Sequence, residues 1–162
     1  MSFLHTSKVA LIPSAFFDPA SSRELLSQTV KLDKEDKVGY ISLPEFSAEL
    51  VYSLSDAEPV SEPVEGPVLY QLLKKVPEIK EHNKIVASYA EGLLELVIAQ
   101  GEKLLLANVF QAADFTTAEY FLFMAVRKLQ LNPEVSTVHF MTPLSGEEEM
   151  SLYRYFKSVE TL

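Results

Sequence analysis

Few side chains in this sequence come in combinations that do chemistry. His5, His82 and His139 are far apart and lack the short i, i+4 or x3–5 spacing with which proteins collect metal ligands. Glu147-Glu148-Glu149 sets acids side by side, as a cation site would. These residues also stand where a helix would start: the macrodipole favours acids in a first turn, and Glu148 would complete a capping box with Ser145. That structural role is the expectation, and no metal site is expected. The sequence has no cysteine, which removes thiol nucleophiles, disulfides, Cys-ligated zinc and iron–sulfur clusters. It has no Gly-x-Ser-x-Gly turn, and Asn108, at the end of an apolar run, reads as a turn former. Glu91-Gly92 and Ser145-Gly146 are the turns worth attention, because a glycine ahead of a helix N-terminus tolerates a phosphate or ribose. Against that, the chain has only 5 glycines and no Walker or Rossmann array. No catalytic set emerges.

Composition narrows the classes further. The chain has 162 residues, 14 Lys+Arg against 23 Asp+Glu, a formal charge of −9, and 48% hydrophobic residues. A chain of this length buries roughly 70% of its unfolded surface, enough for a core without metals or disulfides. The acidic balance leaves no Lys/Arg stripe to release counterions, so nucleic acid is not an expected partner. No apolar run reaches the ~18 residues of a membrane span. Residues 1–8 lack the basic and apolar regions of a signal peptide, so a cytoplasmic protein is expected.

These residues must be positioned by elements that the patterning suggests. Residues 8–17 read as a strand entering a loop. Asp18 as N-cap, Pro19 at the first helical position and the stripe Leu25, Leu26, Val30 predict a helix over 19–30. The charged stretch 31–37 reads as a solvated connection. Residues 38–43 and 46–54 are strands, the second alternating Phe46, Ala48, Leu50, Tyr52, Leu54 with Ser47, Glu49, Val51, Ser53. Residues 55–67, acidic and Pro-rich, form an exposed loop and the best candidate boundary. A short helix from Pro67 shares a face of Val68, Leu69, Leu72, Leu73 and Val76, and Pro77 stops it.

The second half is clearer. Residues 84–90, 93–100 and 103–110 are strands joined by tight turns at Glu91-Gly92 and Gln100-Gly101. Their continuous apolar runs predict helices on both faces of the sheet. Residues 115–131 form the strongest helix, with Thr116 and Glu119 fitting a capping box and Asn132-Pro133 ending it. Core packing accounts for its Phe115 and Phe121. Tyr120 and Phe123 fall on the flank and would mark a partner surface if both are exposed. A strand over 137–142 and a helix over 145–159, with Leu152, Phe156 and Val159 inward, complete the chain.

Strand, strand, strand, helix, strand, helix is the core order of the ribonuclease-H-like and actin-like superfold, an α/β (α+β) class with a mixed sheet. Ribonuclease-H-like nucleases need inward carboxylates on the first and fourth strands. Residues 84–90 and 137–142 carry none, so nuclease chemistry is set aside. Softer patterns go further. Ile12-Pro13 before Phe16-Phe17, the run Leu104 to Phe110 before an acidic loop and a helix with Tyr120, and Leu131-Asn132-Pro133-Glu134 before residues 138–142 and Ser145-Gly146 form one set. Together they resemble an uncharacterised Bacteroidetes domain-of-unknown-function family with an actin-like ATPase fold.

The resemblance implies a partial first lobe over 1–66 (strand, helix, β-hairpin, acidic loop) and a second actin-like lobe over 67–162. It also implies that residues 1–162 are the C-terminal portion of a longer protein. Actin-like ATPases hold phosphates with Asp-x-Gly hairpin turns. The equivalent here, Tyr89-Ala90-Glu91-Gly92-Leu93, keeps one acid and one glycine, and Ser145-Gly146 occupies the adenosine-side turn. The leading expectation is a non-catalytic actin-like module that binds or scaffolds a protein, a partner or a second copy. The alternative is an ATP/Mg-binding protein that uses Glu91, Gly92, Ser145 and Gly146 and needs an N-terminal segment outside this chain.

Overall fold

A computed structural model describes residues 2–54 and 64–162, so most of the acidic Pro-rich loop predicted over 55–67 lies outside the described residues. The chain forms two compact units, Met1–Gln71 and Leu72–Leu162.

The first unit contains β1 (Ser2–Leu4), β2 (Val9–Pro13), α1 (Ser22–Ser27), β3 (Val38–Leu43), β4 (Ala48–Ser53) and β5 (Val64–Pro67). β1 and β5 pair in parallel, and β2-β4-β3 form an antiparallel sheet. The helix predicted over 19–30 is divided. The Asp18 carboxylate accepts from the Ala20 amide at 3.0 Å and caps only a 3₁₀ turn, Pro19–Ser21, while α1 has 6 residues around the fully buried Leu26. The strand predicted from Phe46 starts at Ala48, because Pro44–Phe46 is a 3₁₀ turn closed by Ser47 at φ 51°. Its expected alternation also fails after Leu50: Val51 and Ser53 are buried as well, so side chains on both faces of β4 are covered.

Residues 31–37 form the expected solvated connection, with Lys31, Asp33, Lys34, Glu35 and Lys37 exposed, but Asp36 within it is buried. Asp36, with a side chain 3% exposed, accepts from Lys8 Nζ at 2.8 Å, the Asp33 amide at 2.7 Å and Ser53 Oγ at 3.1 Å. Lys8, the Asp33 amide and Ser53 hold its carboxyl down to about 2. Arg23 adds a clamp from α1, donating to the backbone oxygens of Asp36 and Asp33. One buried carboxylate thus ties the loop to the residue before β2 and to the end of β4.

α2 (Val68–Lys75) crosses the boundary between the units, and Val68, Leu69, Leu72, Leu73 and the following Val76 are all buried, as their shared face predicts. The second unit continues with β6 (Asn83–Ala90), β7 (Leu93–Gln100), β8 (Lys103–Gln111), α3 (Phe115–Lys128), β9 (Thr137–Phe140), α4 (Gly146–Tyr153) and β10 (Ser158–Thr161). The sheet order is β10-β9-β6-β7-β8: β6, β9 and β10 run parallel, and β7 is antiparallel to its neighbours.

β10 is the main correction in this half. The predicted helix over 145–159 stops at Tyr153, and Ser158–Thr161 pairs in parallel with β9. Phe156 and Val159 are buried as expected, but from a turn and a strand; Val159 and Thr161, β-branched and alternating, fit a pleated edge better than a helix. Smaller differences have local causes. The helix cap is Asp114, which accepts from the Thr117 amide at 2.8 Å, not Thr116 with Glu119. The second hairpin turns at Gly101-Glu102, after Gln100 has closed β7.

One face of the sheet, with Ile85, Ala87, Leu94, Leu96, Ile98, Val138 and Phe140, packs against Ala118, Leu122, Ala125 and Val126 of α3 and Leu152 of α4 in a single apolar cluster. The other face buries Val86, Val97 and Ala99. There the end of α2 and the turn after it border a cavity of about 480 Å³ over His139.

Candidate functional site

β6 and β9 are adjacent parallel strands, and the sheet order reverses between them, the place where open α/β sheets bind ligands beyond their carboxyl ends. The two expected nucleotide turns lie at this end. Glu91-Gly92 follows β6 and Ser145-Gly146 follows β9. The Tyr89 amide donates to Thr142 Oγ1 at 3.0 Å and the Met141 amide to the Ala87 carbonyl at 2.9 Å, tying the strand ends together.

Each turn makes contacts of its own. Glu91 (φ 54°) and Gly92 (φ 70°) make a turn with both central residues left-handed, the geometry of a two-residue hairpin. A Cβ on Gly92 would meet only the Ala112 carbonyl at 3.8 Å, and a Cβ on Gly146 would meet nothing within 4 Å, so neither glycine holds open a close approach. Ser145 accepts from the Glu148 amide at 3.1 Å, and Glu148 accepts in return from the Ser145 amide at 2.8 Å. That capping box takes amides an anion would need, and Glu147, Glu148 and Glu149 crowd the first turn with negative charge.

Tyr89 occupies the space beside this turn. Its hydroxyl donates to the Ala112 carbonyl at 2.8 Å, and its ring meets Phe115 edge-on at 6.0 Å. Burial, then the charges of Asp114 and Glu148, push that hydroxyl above its ordinary value. Both carboxylates therefore project negative potential toward this end. Among the described residues no group of three or more His, Asp or Glu can hold a metal ion.

The expected partner residues lie on α3. Tyr120 is 63% exposed and Phe123 half-buried. Each has its own ring partners. Tyr120 meets Phe121 at 5.8 Å, which stacks on Phe110 at 5.1 Å; Phe123 packs on Tyr155 at 4.4 Å and Phe156 at 5.7 Å. Beside Phe123 lies a groove of about 540 Å³, lined by Val126, Arg127, Gln130, Leu131 and Tyr155. Sequence reasoning missed Tyr155, because a helix through 159 gave it no distinct place. It also passed over Gln130.

Gln130 is the residue after the cap of α3 and sits at φ 59°. Its amide donates to the Arg127 carbonyl at 3.0 Å and the Leu131 amide to the Val126 carbonyl at 3.0 Å, with Leu131 and Val126 both buried. This is the Schellman ending, whose left-handed position usually belongs to glycine. A side chain there costs on the order of 1 kcal/mol. The signal was present in Leu129-Gln130-Leu131-Asn132-Pro133: a helix stop with no glycine in it.

Glu119 joins α3 to α4. Its Oε2 accepts from Ser151 Oγ at 3.0 Å, whereas its buried Oε1 has no hydrogen-bond partner. Burial chiefly, with Glu148 adding to it, raises this carboxyl above its ordinary range against the opposing effects of Ser151 and Arg154. The histidines are dispersed. His82 is exposed, His5 half-buried, and His139 is 3% exposed with Nδ1 3.2 Å from the Ile85 carbonyl and Nε2 3.4 Å from Glu160 Oε2. A carbonyl only accepts, so Nδ1 carries the proton.

Residues 64–159 match the model of the family described as Protein of unknown function (DUF3822). The chain belongs to this family. Its fold is actin-like: a solved Bacteroides thetaiotaomicron VPI-5482 protein with actin-like ATPase fold and unknown function superposes with a TM-score of 0.75 at 18% identity. The match covers 98% of this DUF3822 chain and 66% of that chain. A chain from a PilM-PilN type IV pilus biogenesis complex gives a TM-score of 0.49 at 14% identity, covering 95% of this chain and 65% of that one. The DUF3822 chain thus spans just under two thirds of the length of both solved relatives. No curated protein matches the sequence.

Proposed function

We propose that this DUF3822 chain works by binding another protein and has no catalytic activity of its own. The observation that supports this reading is the apolar surface of α3, α4 and the turn after α4: Tyr120, Met150, Tyr153 and Tyr155 are each 48% exposed or more. Exposed aromatic and thioether side chains are the residue types enriched at interface centres. The carboxyl end of β6 and β9, where a nucleotide-binding member of the fold would act, is taken up by Tyr89, a capping box and acids.

Affinity capture from a native lysate tests this reading, with the natural chain compared against Tyr120→Ser and Tyr155→Ser. The expected result is a stoichiometric protein partner lost with at least one variant. Thermal unfolding with Mg-ATP runs beside it. A ligand that binds only the folded state adds ~2.7 kcal/mol at a hundredfold excess over its Kd. A saturable rise in Tm would overturn the reading and bring forward the ATP alternative at Glu91, Gly92, Ser145 and Gly146.

A further inference from the structure

The groove beside Phe123 combines apolar walls with cationic edges on a chain of charge −9. Val126 and Leu131 are buried at the groove, and Phe123 and Tyr155 pack together at a tilt with ring centroids 4.4 Å apart. Arg127 lines it, exposed Lys128 follows on the same helix turn, and exposed Arg154 precedes Tyr155. Lys157 is pinned close by, its amide donating to the carbonyls of Pro133 and Ser136 at 3.1 Å. Glu134 is the nearby acid on the loop side, and Glu119 accepts from Ser151 and attracts Arg154. The charged residue of the lining itself is Arg127, a cation on a chain of net negative charge.

A second observation is independent of charge. The left-handed position at the end of α3 holds Gln130 rather than glycine, and that residue lines the groove. Backbone held in a costly region by a side chain that fold alone does not require points to a use for the side chain. It puts a side-chain amide at the groove, beside Asn132, whose Oδ1 accepts from the Glu134 amide at 3.0 Å, and amides pair with the N–H and C=O groups of an extended backbone.

We propose that this groove binds an extended acidic segment of another protein, with a proline or aromatic side chain against Phe123 and Tyr155, a carboxylate on Arg127 and its backbone on Gln130. A volume of about 540 Å³ fits a few side chains, not a folded surface. Ring walls select flat or pre-extended residues, and Arg pairs with a carboxylate in a bidentate fork. This assignment rests on the protein-binding reading and names the chemistry of its partner.

The test is display selection of random 12-residue peptides on the full chain, followed by fluorescence anisotropy of the best binder. Enriched peptides are expected to carry net negative charge with at least one proline or aromatic residue, and to bind more weakly as salt rises. Tyr155→Ser and Arg127→Glu should each weaken binding about tenfold or more, as loss of a central anchor does, while Tyr120→Ser leaves it within about twofold. Circular dichroism and Tm confirm that each variant folds.

Neutral or basic enriched peptides, no enrichment, or indifference to Tyr155→Ser and Arg127→Glu would overturn the proposal. So would a concentration-dependent dimer abolished by Arg127→Glu, which would assign the groove to a second copy. A native partner lost with Tyr120→Ser but retained with Tyr155→Ser would overturn the groove assignment and leave the protein-binding reading standing. Absence of any native partner, with acidic peptides still selected, would do the opposite.

Discussion

Replacing Gln130 with glycine should stabilise the protein while weakening its groove. The residue holds the left-handed position of a complete Schellman ending, with φ 59° and both 3.0 Å hydrogen bonds formed. Removing the Cβ relieves about 1–2 kcal/mol of backbone cost. Against this, glycine loses more conformational freedom on folding, about 0.5–1 kcal/mol. The net gain is about 0.5–1 kcal/mol, which for a chain of this size raises Tm by about 1–4 °C. Gln130→Ala separates the two effects, since alanine keeps the strained backbone and loses the amide. Thermal unfolding and peptide anisotropy read both quantities. The two variants should share a binding loss and differ in stability, glycine above alanine. A glycine variant less stable than alanine would refute the backbone argument. Unchanged binding in both would show that the amide is not used.

Other consequences follow from charge and packing. The pKa of Asp36 is lowered to about 2, so its contribution is present above the ordinary value near 3.8 and is lost as pH falls through 2. Melting curves between pH 5 and 2 should show that loss, and Asp36→Asn should remove this part of the pH dependence and lower stability near neutrality. Glu119 has the opposite sign: its raised pKa means that stability held by the protonated form is lost as pH rises through the shifted value. Glu119→Gln, which keeps an acceptor for Ser151, should therefore raise Tm at pH 7, with less effect at pH 4. Phe156 is 3% exposed between Phe123 and the sheet cluster, and Phe156→Ala should cost about 3–5 kcal/mol by denaturant unfolding.

What could be read from the sequence follows the range of the interactions involved. The β6–β7–β8 meander was legible because hairpin turns and apolar runs are local signals, and Glu91-Gly92 marks its turn directly. The long helix showed its stripe, though its true cap, Asp114, lies one residue outside the stripe. β10 was hidden because Leu152, Phe156 and Val159 satisfy helical spacing on paper; only its pairing with β9, about 20 residues earlier, decides otherwise. Asp36 was unreadable for the same reason: its partners Lys8 and Ser53 are 28 and 17 residues away. At the candidate groove, Phe123 was named from its helix flank, but Tyr155 depends on where α4 ends. The breakdown of alternation in β4 depends on what covers the second face of its sheet, which no local pattern carries.

The same topology explains why the expected turns and the exposed aromatic face have such different characters. Parallel β6 and β9 place their carboxyl ends together, and any chain with this sheet order must close that end somehow. Here the closure is internal: Tyr89 reaches the Ala112 carbonyl, Thr142 takes the Tyr89 amide, and Ser145 and Glu148 satisfy each other. Donors spent on internal partners are not available to a phosphate, and the acids of α4 and Asp114 add a repulsive field. The other end of α3 is built in the opposite sense. Its last turn carries Arg127 and Lys128 with the macrodipole, its Schellman ending carries Gln130 in the left-handed position, and half-buried Phe123 packs at a tilt on exposed Tyr155 beside it. Binding capacity requires unspent polar groups next to desolvated apolar ones. In this unit that combination stands at the carboxyl end of α3, and a search for ligand or partner is best aimed there.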